Sequence, residues 1–171
     1  MITDTVTMSL RELPARESDG WTEQHYAVRL RYRGQVMRLA FHRGREGAQA
    51  PAPTVDLVLK ALLDDAATLA NSRSMEEWAG ELGMDLEQDA RSIRRDYARV
   101  TAQTAKLERL LGEDYLEFLW GARGPELSGP ELGQRIQQAQ EHGQMGAFAS
   151  LQEMAEREGW DGGARLSADR S

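Results

Sequence analysis

Three groups of side chains in this 171-residue chain have the type and spacing to bind charge or do chemistry. The first is an acidic run: Glu76, Glu77, Glu81, Asp85, Glu87 and Asp89 place six carboxylates within fourteen residues, with no base among them. Such a ridge can imitate a phosphate backbone and occupy the basic groove of a nucleic-acid-binding protein. The same acids also suit two helix N-termini, where the helix dipole favours negative charge. The second group is Arg29, Arg31 and Arg38, with Arg11 nearby and Arg33, Arg43 and Arg45 at the loops. Arginines pointing outward from a β-ribbon can track phosphates or enter a major groove, although antiparallel sheets commonly leave one polar face to water. The third is His25 with His42, two potential ligands where a metal site needs three or four. No metal and no cofactor is expected.

The usual catalytic constellations are missing. The chain has no cysteine, which removes thiol nucleophiles, thiolate metal sites and disulfides together. No Walker pattern, no Gly-x-Gly-x-x-Gly and no Gly-x-Ser-x-Gly elbow is present. Carboxylates are plentiful but fall on helix exteriors, where solvation is their ordinary fate. Asp64 and Asp65, toward the C-terminal part of a helix, work against its dipole and read as a solvated end or a contact point. The expectation is an interaction protein, not an enzyme.

Val6, Met8 and Leu10 alternate with polar neighbours, the period-2 pattern of a half-buried strand. Pro14 through Gly20 reads as a polar connection. A second strand from about Gln24 to Tyr32 and a third from Gln35 to His42 meet at Arg33-Gly34. A two-residue turn there sets the register. Tyr26 faces Phe41, Val28 faces Leu39 and Leu30 faces Met37 on the apolar side. His25 faces His42, Ala27 faces Ala40 and Arg29 faces Arg38 on the other. Arginines opposite one another repel unless solvent or an anion lies between them. Residues 43–53 read as a loop.

Helical spacing then begins. Thr54 is an N-cap for an apolar stripe of Val55, Val58, Leu59, Leu62 and Leu63. Ser74-Met75-Glu76-Glu77 fits a capping box opening a short helix with Trp78 and Leu82 inward and Gly83 as its stop. A long helix from about Leu86 to Leu111 lines up Ala90, Ile93, Tyr97, Val100, Thr104, Leu107 and Leu111, and Glu113 to Trp120 adds a last turn or two. After Trp120 the composition becomes linker-like, with weak helices near 131–141 and 147–158. The fold class is therefore α+β, a three-stranded antiparallel sheet packed against a helical bundle. The core spans 1–120 (sheet 1–50, helices 54–120), and 121–171 forms a linker and a loosely attached helical tail. That tail's apolar residues could also serve a homodimer.

The net charge of −7 is uneven: residues 1–50 hold eight basic and six acidic side chains, the remainder thirteen and twenty-two. The overall sign disfavours non-specific binding to nucleic acid or anionic membrane, while a local basic face near the N-terminus stays open. No apolar run approaches the length of a membrane span and no signal-peptide pattern opens the chain, so the expected location is the cytoplasm.

The run from Val55 to Leu119 carries a resemblance. It contains Val55-Asp56-Leu57-Val58-Leu59, then Ser74-Met75-Glu76-Glu77-Trp78-Ala79-Gly80-Glu81-Leu82-Gly83. Ser92-Ile93-Arg94-Arg95-Asp96-Tyr97 and Leu107-Glu108-Arg109-Leu110-Leu111-Gly112-Glu113-Asp114 follow. This order resembles small uncharacterised proteins of bacteriophages and integrated mobile elements, in which an acidic aromatic segment precedes a basic helix bearing a tyrosine. The resemblance implies a host-defence inhibitor of the anti-CRISPR kind, acting on a host protein inside a bacterial cell. The acidic run would then be the contact surface, and the alternative is a nucleic-acid-binding module using Arg29, Arg31 and Arg38.

Overall fold

The computed structural model describes residues 5–18, 21–45, 52–127 and 129–142. Alternation builds the sheet: β1 (Thr7–Ser18), β2 (Trp21–Tyr32) and β3 (Gln35–Arg45) form an antiparallel meander in the order β1-β2-β3. The β2–β3 register follows the two-residue turn, with Tyr26 opposite Phe41, Val28 opposite Leu39, Leu30 opposite Met37, His25 opposite His42 and Arg29 opposite Arg38. Arg33 and Gly34 both take positive φ, 48° and 81°, the signature of a type I′ turn whose twist matches the strands it joins. The turn requires this unusual backbone of Arg33, whose side chain is anchored on the helical layer. That side chain pairs with Asp114 at 3.1 Å and lies over the Tyr32 ring at 5.7 Å.

The sheet is longer than the alternation suggested. β1 continues through the expected connection at 14–18, with its register shifting between Leu13 and Arg16. Pro14 lies at that irregularity on an edge strand, where its missing N–H costs no ladder bond. β3 likewise runs on to Arg45.

The helices cover the apolar face. They are α1 (Val55–Asn71), α2 (Met75–Glu81), α3 (Ala90–Leu111), α4 (Tyr115–Arg123) and α5 (Pro130–Glu141), with 3-10 turns at Gly112–Asp114 and Gly124–Glu126. Thr54 caps α1 by accepting from the Leu57 N–H. Val58, Leu59, Leu62 and Leu63 share one buried cluster with Val28, Leu30 and Tyr32 of the sheet and with Leu107, Leu111, Phe118 and Leu119. Leu30, Leu63 and Phe118 are wholly withdrawn from water, each worth about 1.5–3 kcal/mol of burial. A second cluster of Trp78, Ala79, Ile93 and Val100 fastens α2 to α3, with Trp78 edge-on to Tyr97 at 5.5 Å.

Two expectations need correction. The long helix starts at Ala90 instead of Leu86, because the Asp85 carboxylate accepts from the Glu87 N–H at 2.9 Å and its carbonyl accepts from Gln88 and Asp89. That local turn competes with the helix. The segment after Trp120 is also not loose where it is described: α4 runs to Arg123, and Leu132, Ile136 and Ala139 of α5 are buried in the main core. Asn71 holds this return in place by donating to the Glu126 carbonyl and accepting from the Gly129 N–H. The helix expected at 147–158 lies outside the described residues.

Candidate functional site

The acidic run is a short structure closed at both ends. At its start Ser74 Oγ accepts from the Glu77 N–H at 3.2 Å. The Glu77 carboxylate reaches back to the Arg73 N–H at 2.8 Å, one residue further than a standard capping box. Around α2, Glu76, Glu77 and Glu81 lie within an arc of about 140°. They are exposed, while Trp78 and Ala79 on the other side are buried. At its end the Met84 N–H reaches the Ala79 carbonyl at 2.9 Å and the Gly83 N–H reaches Gly80 at 3.1 Å, with Gly83 at φ 73°. This is a Schellman closure, and glycine is the residue that adopts it without strain. Asp85 then makes its turn, and Asp89 stands at the N-cap of α3 without a side-chain bond.

That closure overturns one expectation. Leu82 does not point inward: it is the C-cap of α2, where the chain leaves the helix, and it is 46% exposed. Met84, two residues on, is 37% exposed. Both stand between Glu81 and Asp85. All six acids are exposed, and among the described residues none pairs with an arginine or lysine side chain. Two exposed apolar side chains, flanked in the chain by carboxylates that lack an ion pair, thus sit on a backbone fixed from both sides. The acids were legible in the sequence, whereas Leu82 was hidden by its helical spacing.

The arginines form a second surface. Arg29, Arg31 and Arg38 share the outer face of the sheet, and the β1–β2 register adds Arg11 beside Ala27. Arg33 leaves this set because its guanidinium is engaged by Asp114 and Glu113. Arg43 pairs with Gln24, whose buried side chain puts it on the inner side of the sheet. Further along the outer face, the His25 and His42 rings stack 5.4 Å apart, and His25 Nε2 lies 3.1 Å from Glu23. Among the described residues no group of three or more acids and histidines is arranged to hold a metal.

Charged side chains also fill the seam between α1 and α4. Lys60 is buried and pairs with Asp64, which also meets Arg123 at 3.3 Å, and Arg123 pairs with Glu126. Asp64 is therefore half-buried and neutralised, not a solvated helix end. Burial pushes the neighbouring Asp65 carboxyl up, Arg99 opposes that and the Asp64 charge adds to it. A cavity of about 200 Å³ lies where α5 rests on the core, bordered by Thr104, Glu108, Tyr115 and Arg135. Arg135 and Glu108 close its edge at 3.1 Å. Burial, with help from Glu108 and opposition from Arg135, raises the Tyr115 hydroxyl to about 12.

No helix among the described residues is long and apolar enough to cross a membrane. No family model, no curated protein and no solved structure matches this chain. Its own geometry must carry the functional reading.

Proposed function

We propose that this is an interaction protein of a phage or mobile element that binds and inhibits a host protein through the α2–α3 segment, without catalysis of its own. The observation that carries the reading is the pair Leu82 and Met84, exposed apolar side chains within a run of six exposed carboxylates that pair with no arginine or lysine among the described residues. Protein interfaces concentrate their energy in a few apolar anchors surrounded by a polar rim, and the sign of the rim selects the partner. Here the rim selects a basic groove, such as the one a nucleic-acid-binding defence complex presents to its nucleic acid. The capped helix and Schellman closure support this use, since a surface held in shape before binding loses little entropy on docking.

The test is affinity capture from nuclease-treated bacterial lysate with three baits. These are the natural chain, a Glu76→Lys/Glu81→Lys/Asp85→Lys variant, and a Leu82→Ser/Met84→Ser variant. A protein retained by the first and lost by both variants, with unchanged circular dichroism, supports the segment as the contact. Equal retention by all three removes it.

A further inference from the structure

The sheet face opposite the helices has no part in that reading. Its outward residues fall into cross-strand rows: Thr7, Arg31 and Val36; then Ser9, Arg29 and Arg38; then Arg11, Ala27 and Ala40. These three rows hold four arginines and no carboxylate, on a chain whose net charge is −7. Among the described residues none of the four makes an ion pair or hydrogen bond through its side chain. Between Arg11, Arg29 and Arg38 lies an open trough of about 590 Å³, bordered also by Ser9 and Ala27, with Arg31 one row beyond it. Leu10, Val28 and Leu39, which alternate to the inner face, complete its lining, and the small Ala27 side chain leaves its centre open.

We infer that this trough binds the phosphodiester backbone of nucleic acid, independently of the acidic segment and without reading sequence. Arg29 and Arg38, directly opposite one another, repel unless an anion lies between them, and a phosphate accepts hydrogen bonds from both forks. Successive rows lie two residues apart along the strands, about 6.7 Å. That spacing is close to the separation of neighbouring phosphates in an extended strand, so Arg31, the Arg29–Arg38 pair and Arg11 address consecutive phosphates. None of the residues in these three rows is aromatic, and Tyr26, Tyr32 and Phe41 belong to the inner face, so the arginine rows themselves address the backbone and not the bases. The hairpin is not free to insert into a major groove as a ribbon, because its turn is held against Asp114 by Arg33 and Tyr32. An anionic membrane is the poorer match, since these rows offer no large aromatic or apolar anchor beyond Val36. The chain's acids do not cancel the face at working salt: the acidic run lies in the helical layer, and charges further off than about 10 Å are largely screened at 0.1 M.

The experiment uses the full chain and fluorescein-labelled oligonucleotides of mixed sequence, single-stranded and duplex. Anisotropy is read across a salt series, beside vesicles containing phosphatidylserine. The natural chain is expected to bind at least one oligonucleotide form, with affinity falling steeply as salt rises. An Arg11→Gln/Arg29→Gln/Arg38→Gln variant should lose at least tenfold at low salt. Its log–log salt slope should flatten by about 0.7–0.9 for each contact removed. Arg94→Gln/Arg95→Gln on α3 should bind as the natural chain does. If the triple variant fails to fold, exposed Arg38→Gln alone and the triple Arg→Lys variant carry the test: the first should weaken binding and the second largely keep it. Absence of oligonucleotide binding, an unchanged slope in the glutamine variants, or arginine-dependent binding to vesicles only would each overturn the inference.

Discussion

The Tyr32 hydroxyl donates to Asp114 Oδ2 at 2.8 Å, a buried bond between residues 82 apart in the chain. The same carboxylate accepts from Arg33 at 3.1 Å, and the Tyr32 ring stands edge-on to Phe118 at 5.5 Å. One acid thereby locks the hairpin turn onto the start of α4. Tyr32→Phe keeps the ring and removes the hydroxyl, leaving a buried carboxylate with one partner fewer. It should cost about 1–3 kcal/mol by chemical denaturation, without change in secondary structure.

Trp78 is the anchor of the second cluster, so Trp78→Ala should cost roughly 3–5 kcal/mol if its cavity stays open. A smaller loss, with fast hydrogen exchange confined to α2, would mean that α2 detaches while the main core persists. Either result should abolish partner capture, because the acidic segment is presented by α2.

Gly129 lies where the returning chain crosses the end of α1. A Cβ at this position would stand 2.1 Å from the Ala70 carbonyl oxygen, a fixed backbone atom. Gly129→Ala should cost about 1–3 kcal/mol, and the amides of Leu132, Ile136 and Ala139 should lose hydrogen-exchange protection first.

Asp65 supplies the pH prediction. Burial raises its folded pKa above the ordinary 3.8, so the folded state holds its proton to higher pH than the unfolded chain. Stability therefore falls as pH rises through the folded pKa, and the ionised group is a net penalty at neutral pH. Asp65→Asn should raise the denaturation midpoint at neutral pH, with the gain shrinking as pH falls toward 3.8. A midpoint lowered at neutral pH would show that the attraction of Arg99 outweighs burial.

Much of the fold is legible in local pattern. The β2–β3 register follows from alternation on either side of Arg33-Gly34, since a one-residue slip would turn Val28 and Leu30 out to water. The stripe of α3 is legible for the same reason: Ile93, Val100, Leu107 and Leu111 recur at helical spacing and are buried. Elsewhere local competition misled the pattern. Leu82 has the spacing of an inward residue, yet the helix ends beneath it. The Asp85 turn takes four residues from the start of α3, and Pro14 shifts a strand's register without ending it.

The two candidate surfaces divide in the same way. Sequence alone determined which charges cluster, because the acids of 76–89 are neighbours in the chain and the arginines of β2 and β3 are joined by a two-residue turn. Tertiary structure alone decided that Leu82 and Met84 stand exposed, that Arg11 lies in the row next to the Arg29–Arg38 pair, and that Arg33 is withdrawn from the face by Asp114. A repeat of apolar residues records that a face will be buried, but not what will cover it. That choice depends on packing between elements far apart in the chain.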